Sequence, residues 1–316
     1  MRLAITGGAG FIGSHLSGLC LEQGLDHIVI DDLSVGRLGN IPPDVPFAQG
    51  DIRDTAMLTQ ALAGCDVVCH LAARVSIRGA VARFVDDADV NVLGTLSALQ
   101  AARNAGVKRV VYASSMAVYG EPVANPQDED HPTLPTSPYG VGKRASEEYV
   151  LMLTRLWGME GLVLRYFNTY GPKQTPSPYV GVMTIFIQRC LQGLAPQIFG
   201  DGTQSRDFVY VGDIADATLR AAKSSHAGMI VNVGTGVPTS VNDIARLVID
   251  ATGAAVTPEH LPPAAGEARD SLADVTRLRS FFDGWAPPPR LQEKIAEVVD
   301  WNRDIRFLVE GDLGQG

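Results

Sequence analysis

The chain reads as an α/β protein: a doubly wound parallel sheet carrying a smaller C-terminal lobe. Three observations predict this. Apolar runs of strand length alternate with helix-patterned segments through the first half. A glycine-spaced turn joins the first run to the first helical segment. The 316 residues are enough for a large core and for two lobes.

The elements follow in order. "RLAIT" (2–6) is a short apolar strand, and "FIGSHLSGLCLEQG" (11–24) has helical periodicity. "HIVID" (27–31), "DVVCHLAA" (66–73), "RVVYASS" (109–115) and "GLVLRYFN" (161–168) are further strands, apolar enough for a sheet covered on both faces. Helical segments at 54–64, 87–106 and 139–157 separate them. From about 170 the pattern loosens. "YGPKQTPSPYVG" (170–181) is a loop, 182–193 a helix, and "FGDGTQSRDFVYV" (199–211) a turn followed by a strand. "GMIVNVG" (228–234) is a strand, 240–252 a helix, "LPPAAGEARD" (261–270) a loop, and 286–304 a final helix started by proline. The expected division is a cofactor domain of 1–168 plus about 206–240, a substrate lobe of about 169–205 and 241–305, and a loosely ordered tail at 306–316.

Composition narrows the function. Hydrophobic residues make up 46% and charged residues 19%, which suits a globular enzyme and not a disordered chain. A net charge of −9 without a strong basic run argues against broad nucleic-acid binding and leaves room for a local anion site. Cys20, Cys65, Cys69 and Cys190 show no zinc spacing; they read as reduced structural thiols, no metal is expected, and a cytoplasmic location fits. Met1-Arg2 leads straight into a strand, so no signal peptide is expected, and no apolar stretch reaches membrane-spanning length.

"TGGAGFIGSHL" (6–16) sets Gly7, Gly10 and Gly13 at G-x-x-G-x-x-G spacing between strand and helix. Such glycines permit a tight turn, a close approach to a pyrophosphate, and helix-on-strand packing. The helix N-terminus, at Phe11 and Ile12, then faces phosphate. Asp31 closes the second strand 18 residues after Gly13. A carboxylate there accepts from ribose hydroxyls and repels a 2′-phosphate, favouring NAD over NADP, with Arg37 close enough to soften that preference. Asp51 and Ile52 follow a third short strand. Asp51 reads either as part of an adenine site or as a helix N-cap.

"SPYGVGK" (137–143) puts Tyr139 and Lys143 one helical turn apart on one face. The pair reads either as a surface contact or as a phenol tuned to lose its proton near neutral pH.

"TGGAGFIG", "HLAA", "VNVLGT", "SSMAVYG", "SPYGVGK", "LRYFNTYGP" and "GDGTQSRDFVYV" occur in this order over roughly residues 2–300. Together they resemble the extended short-chain dehydrogenases/reductases, and within them the NAD-dependent nucleotide-sugar epimerases and dehydratases, most of all enzymes of the UDP-glucose 4-epimerase type. The resemblance implies a Rossmann domain, bound NAD, a UDP-sugar substrate, and a homodimer formed by helices near 88–105 and 139–157. It implies that Tyr139 is the acid/base, its pKa lowered well below about 10 by Lys143 and the oxidised nicotinamide. Lys143 would also bond the nicotinamide ribose. Ser115 would bond the reacting hydroxyl and relay its proton. Leu71, Ala72, Ala73 and Asn91 fall at cofactor-side positions, Asn91 reading equally as a helix-buried amide.

Dehydratases and decarboxylases of the family carry proton-moving residues just after the active-site Ser/Thr, where this chain has Met116 and Ala117. Simple 4-epimerisation is the path this leaves. The alternatives are another nucleotide-sugar enzyme, such as a 4-keto-sugar reductase or dehydratase, and a non-catalytic NAD-binding regulator. Asn168 and Arg206 match diphosphate-side positions; Arg206 reads alternatively as a salt-bridge partner of Asp207 or Asp213. Ala264 stands where the family usually has a further arginine, which Arg269 could replace. Ser271 aligns with the residue that gates the sugar's 2-substituent; it is small, so N-acetylated sugars are expected to fit unless other side chains close the pocket.

Overall fold

The computed structural model describes residues 1–75, 81–175, 181–263 and 269–304. Ala264 and the 306–316 tail lie outside the described residues.

Seven parallel strands form the main sheet: β1 (Leu3–Thr6), β2 (His27–Asp31), β3 (Phe47–Gln49), β4 (Val67–His70), β5 (Arg109–Ser115), β6 (Glu160–Tyr166) and β10 (Met229–Val233). Their spatial order is β10-β6-β5-β4-β1-β2-β3. Leu3 lies opposite His27 on one side and Val67 on the other. The strand order reverses at the β1/β4 junction, and a doubly wound sheet opens its binding crevice at that point.

Helices cover both faces. On one, α1 (Phe11–Glu22) packs against α7 (Val211–Lys223), and Leu16, Cys20, Ile214 and Leu219 share a core with β1 and β5. The other holds α2 (Thr55–Ala61), α4 (Gly94–Asn104) and α5 (Pro138–Leu156), where Leu58, Leu99 and Val150 pack on Ala4, Val68 and Val163. A short helix, α3 (Phe84–Ala88), runs through one π-helical turn (Asp89–Leu93) into α4. Such turns recur at functional sites. The start of α5 follows its sequence: Pro138 opens the helix and the Ser137 hydroxyl accepts from Gly140 N at 3.1 Å.

The second lobe has its own sheet. β9 (Ser205–Tyr210) pairs in parallel with β7 (Asn168–Tyr170) and β13 (Asp270–Ser271), and antiparallel with β11 (Pro238–Ser240). β8 (Gln197–Phe199) and β12 (Glu259–Leu261) form a separate parallel pair. Helices α6 (Val182–Leu191), α8 (Val241–Thr252) and α10 (Leu291–Asp304) enclose a third core around Phe186, Ile244 and Val298. The strand at 205–210 therefore lies in the second sheet, and the chain returns to the first with α7 and β10. A last short helix, α9 (Thr276–Phe281), packs near β10.

The proline-started reading of the last helix needs a correction. Pro287–Pro289 precede the helix, which begins at Leu291. Consecutive prolines hold each preceding residue extended, so the helix cannot form through them.

Candidate active site

The glycine turn sits where β1 meets α1. Gly7 has φ +69°, and a Cβ there would stand 2.7 Å from the Ala72 backbone. At Gly13 a Cβ would stand 2.2 Å from the Gly7 carbonyl oxygen. Both positions need glycine, so the turn can close tightly against Ala72. Gly10 caps α1 with no side-chain hydrogen bond, and no acidic residue occupies the first turn. The N–H groups near Phe11 and Ile12 are thus offered, with the helix dipole, to an anion.

The far side of the crevice is fixed by a hydrogen-bonded relay. Leu71 N donates to Thr6 O at 3.2 Å and Ala72 N to the Thr6 hydroxyl at 3.3 Å. The same hydroxyl meets His70 Nδ1 at 2.7 Å, and His70 Nε2 meets Thr95 Oγ1 at 3.1 Å. Burial holds His70 near 3, far below its ordinary value, so the ring stays neutral in this relay. Asn91, in the π-helical turn, clamps the continuing loop beyond Ala73: its Oδ1 accepts from Arg74 N and its Nδ2 donates to Arg74 O, both at 2.9 Å. Asn91 is therefore a buried amide that fixes the loop at Arg74.

Asp31 ends β2 beside the glycine turn. Its Oδ2 accepts from Ala9 N at 3.0 Å and its Oδ1 from Leu33 N at 2.8 Å. Each carboxylate oxygen keeps further acceptor capacity. Burial raises the Asp31 pKa, opposed by those two backbone donors. Asp51 is bound by Arg53, whose Nη2 lies 2.5 Å away and whose Nη1 reaches Asp89. The N-cap of α2 is Asp54, accepting from Met57 N at 2.9 Å, so the capping alternative for Asp51 is excluded. Ile52 packs under Gly94 at the start of α4.

The structure brings Ser115, Tyr139 and Lys143 together. Ser115 ends β5 and Tyr139 and Lys143 lie on α5, with the Ser115 hydroxyl acting on the Tyr139 phenol. Lys143 donates to Ala113 O at 2.8 Å, and its Nζ lies 4.7 Å from the Tyr112 ring centroid and 5.9 Å from that of Tyr139. Tyr139 is 7% exposed and Lys143 3%, so the surface-pair alternative does not hold.

The expected pKa needs correction for the chain's own groups. Burial pushes the Tyr139 phenol up to about 12; the Ser115 hydrogen bond lowers it and nearby Asp87 raises it. Lys143 is pulled down to about 8 by burial, against the opposing pull of Asp87 and Glu147. Desolvation outweighs the pairing that spacing alone suggests.

Sequence reasoning missed Asp87. It is buried one turn before Asn91, which donates to its Oδ1 at 3.1 Å; its Oδ2 has no partner among the described residues. The i, i+4 spacing of Asp87 and Asn91 in "DDADVN" was the available signal. Also missed was the frame behind the site: Ser114 Oγ donates to Glu147 at 2.5 Å, and Glu147 pairs in two-pronged fashion with buried Arg165 at 2.9 and 2.7 Å. These bonds lock β5 and β6 to α5.

On the other side of Ser115 lies the second lobe. Met116–Val118 form a 3₁₀ turn in which Ala117 N donates to Ser115 Oγ at 3.2 Å. Met116 Sδ is met at 3.4 Å both by Asn168 Nδ2 and by Ser271 Oγ. Asn168 also donates to Asp207 O at 3.3 Å, which ties it to β9. Arg206 Nη1 donates to Ser205 O at 2.8 Å and to Arg269 O at 2.9 Å, so Arg206 on β9 reaches the residue that leads into β13. The Asp207 carboxylate is taken by Thr235 and by the N–H groups of Gly236 and Ala273, and Asp213 pairs with Arg290.

A tight glycine turn, an uncapped helix N-terminus and a Ser-Tyr-Lys set with its tyrosine and lysine buried make the decisive arrangement, and comparison with known proteins agrees. The profile of the NAD dependent epimerase/dehydratase family matches residues 3–234. The chain belongs to that family. It is an enzyme with a Rossmann fold, and NAD is its cofactor. The UDP-glucose 4-epimerase of Mycolicibacterium smegmatis is 42% identical over 312 residues, covering 96% of this chain and 99% of that protein. The Thermus thermophilus UDP-glucose 4-epimerase, solved with NAD, has a TM-score of 0.87 at 38% identity, covering 96% and 99% of the two chains. The UDP-N-acetylglucosamine 4-epimerase of Methanobrevibacter ruminantium, solved with UDP-N-acetylmuramic acid, has a TM-score of 0.90 at 34% identity, covering 96% and 98%.

Proposed function

We propose that the protein interconverts UDP-hexoses epimeric at carbon 4, through a transient 4-keto sugar. The observation that carries this is the Ser115–Tyr139–Lys143 set, its tyrosine and lysine buried, with Met116 and Ala117 following Ser115. Neither neighbour can move a proton, so elimination and decarboxylation lack the usual catalyst at that place.

The residues divide the work as follows. Gly7, Gly10, Gly13, Phe11 and Ile12 hold the pyrophosphate; Asp31 takes the adenosine ribose; Asp51 and Ile52 flank the adenine; Leu71–Ala73, placed by Asn91, line the nicotinamide side. NAD, when bound, would supply a reversible hydride acceptor for carbon 4, so that the carbon can be re-formed in either configuration. Tyr139 takes the proton of the carbon-4 hydroxyl, with Ser115 bonded to the same oxygen, and later gives it back. Lys143 Nζ lies 5.9 Å from the Tyr139 ring centroid, and the positive charge of an oxidised nicotinamide would add to its pull on the phenol. Arg206 and Arg269, with Asn168, bind the UDP diphosphate. Ser271 is small and lies closed off behind Met116, so displacement of Met116 leaves room for a 2-acetamido group and N-acetylated hexoses are substrates beside plain ones.

The relatives named UDP-glucose 4-epimerase and UDP-N-acetylglucosamine 4-epimerase support this reading. The exposed apolar side chains Val85, Leu93, Val141, Tyr149, Met152 and Leu156 line the adjoining α3–α4 and α5 helices. That surface suits a second copy and supports a homodimer. Among the described residues no helix is long and apolar enough to cross a membrane. The reduced cysteines suit a cytoplasmic enzyme.

The test is incubation with UDP-galactose and, separately, UDP-N-acetylgalactosamine, without added cofactor. The gluco epimers are expected as the sole products. A dehydrated product, or conversion only with stoichiometric NADH or NADPH, would overturn the proposal.

A further inference from the structure

Gln127 is 0% exposed and its backbone is fully engaged. Its N–H donates to Leu272 O at 2.7 Å; its carbonyl accepts from Asp274 N at 2.8 Å and from Asn232 Nδ2 at 2.9 Å. These bonds hold it alongside β13. The side-chain amide is half used. Oε1 accepts from Ser271 Oγ at 3.1 Å, while Nε2 has no partner among the described residues. Buried amides are as a rule fully paired, and a leucine would fill the same space without an unmet donor. An unpaired donor at this depth points to a group that arrives with the ligand.

Its surroundings say which group. Ser271 Oγ, bonded to Gln127, lies 3.4 Å from Met116 Sδ, and Met116 directly follows Ser115. One line of contacts thus leads from the catalytic hydroxyls, through Met116 and Ser271, to the unpaired amide. Met116 is half-buried, whereas Ser271 and Gln127 behind it are closed off. A thioether is a weak acceptor on a flexible chain, so it is easily displaced.

We propose that Gln127 recognises the 2-acetamido group of an N-acetylated UDP-hexose, with Met116 swinging aside to admit it past Ser271. The proposal rests on the reading of Ser271 given above. An acetamido group carries one carbonyl and one N–H. Nε2 donates to that carbonyl; with the Gln127 amide turned over, Nε2 donates to Ser271 and Oε1 accepts from the acetamido N–H. Either orientation completes the pairing. The 2-hydroxyl of a plain hexose is too short to displace Met116, so the bond favours the N-acetylated substrate alone.

The test is Gln127→Leu, with kcat/KM measured on the NAD-loaded enzyme for UDP-N-acetylgalactosamine and for UDP-galactose. The N-acetyl to plain ratio should fall about tenfold or more, the value of one buried hydrogen bond. The melting temperature should hold or rise, because the leucine removes an unpaired amide. A ratio within about threefold of wild type would overturn the proposal. Should Gln127→Leu fail to fold, Gln127→Met gives the same reading. A wild type that turns over plain but no N-acetylated UDP-sugar would overturn the Ser271 reading and this proposal together; a wild type active on both with an unchanged variant ratio would overturn this proposal only.

Discussion

Lys143→Met should stabilise the cofactor-free protein at pH 7 while abolishing most of its activity. Lys143 is buried in the folded state, and burial takes its pKa from 10.5 to about 8. Between those values the unfolded chain holds a proton that the folded chain releases, so stability rises as pH rises through this window. Below pH 8 the full penalty applies. At about 1.4 kcal/mol per pH unit, keeping the buried ammonium charged at pH 7 costs about 3 kcal/mol. Methionine keeps the stem's packing but loses the bond to Ala113 O and the contact over the Tyr112 ring. Those are worth about 1 kcal/mol or less each. The net gain is about 1–2 kcal/mol, or roughly 2–5 °C in melting temperature. Urea unfolding of both proteins from pH 7 to pH 10 measures it. The variant's advantage should shrink as pH rises, while turnover falls about 10²-fold or more. A variant less stable than wild type at pH 7, or a difference independent of pH, would refute the argument that burial depresses Lys143.

Two further substitutions probe the site. Tyr139→Phe removes the proton acceptor and keeps the buried ring, so turnover should fall about 10²–10⁴-fold with NAD still bound; near-full activity in a standard epimer assay would contradict the role given to this phenol. Ser271→Tyr puts a ring into a closed position between Met116 and Gln127, and overpacking of about 1–3 kcal/mol should depress N-acetyl turnover at least about tenfold more than hexose turnover; equal slowing of both substrates in paired kinetics would remove the gate.

Local chemistry made much of this legible in the sequence. The alternating elements, the glycine turn and the helix opened by Ser137-Pro138 depend on neighbouring residues and could be read directly. Tyr139 and Lys143 could be placed on one face, but their ionisation could not be read. It depends on β5 packing over them, and burial there outweighs their mutual effect. Asp51 reads from the sequence as a possible cap of α2; the structure shows Arg53 holding it and Asp54 accepting from Met57 N in its place. The 205–210 strand reads as a strand from its pattern, but its partners β7, β11 and β13 lie far away in sequence. Gln127 sits in an unpatterned polar stretch, "NPQDED", and nothing local marks it as buried. Its place comes from long-range pairing with 272–274.

The central claim is that carbon 4 loses a hydride and regains the same one. UDP-galactose carrying deuterium at carbon 4 tests it most directly. Converted without added cofactor, it should yield UDP-glucose with the label kept at carbon 4, since the hydride never leaves the site. Loss of the label to solvent during conversion would mean that carbon 4 exchanges a proton instead, and would contradict the account.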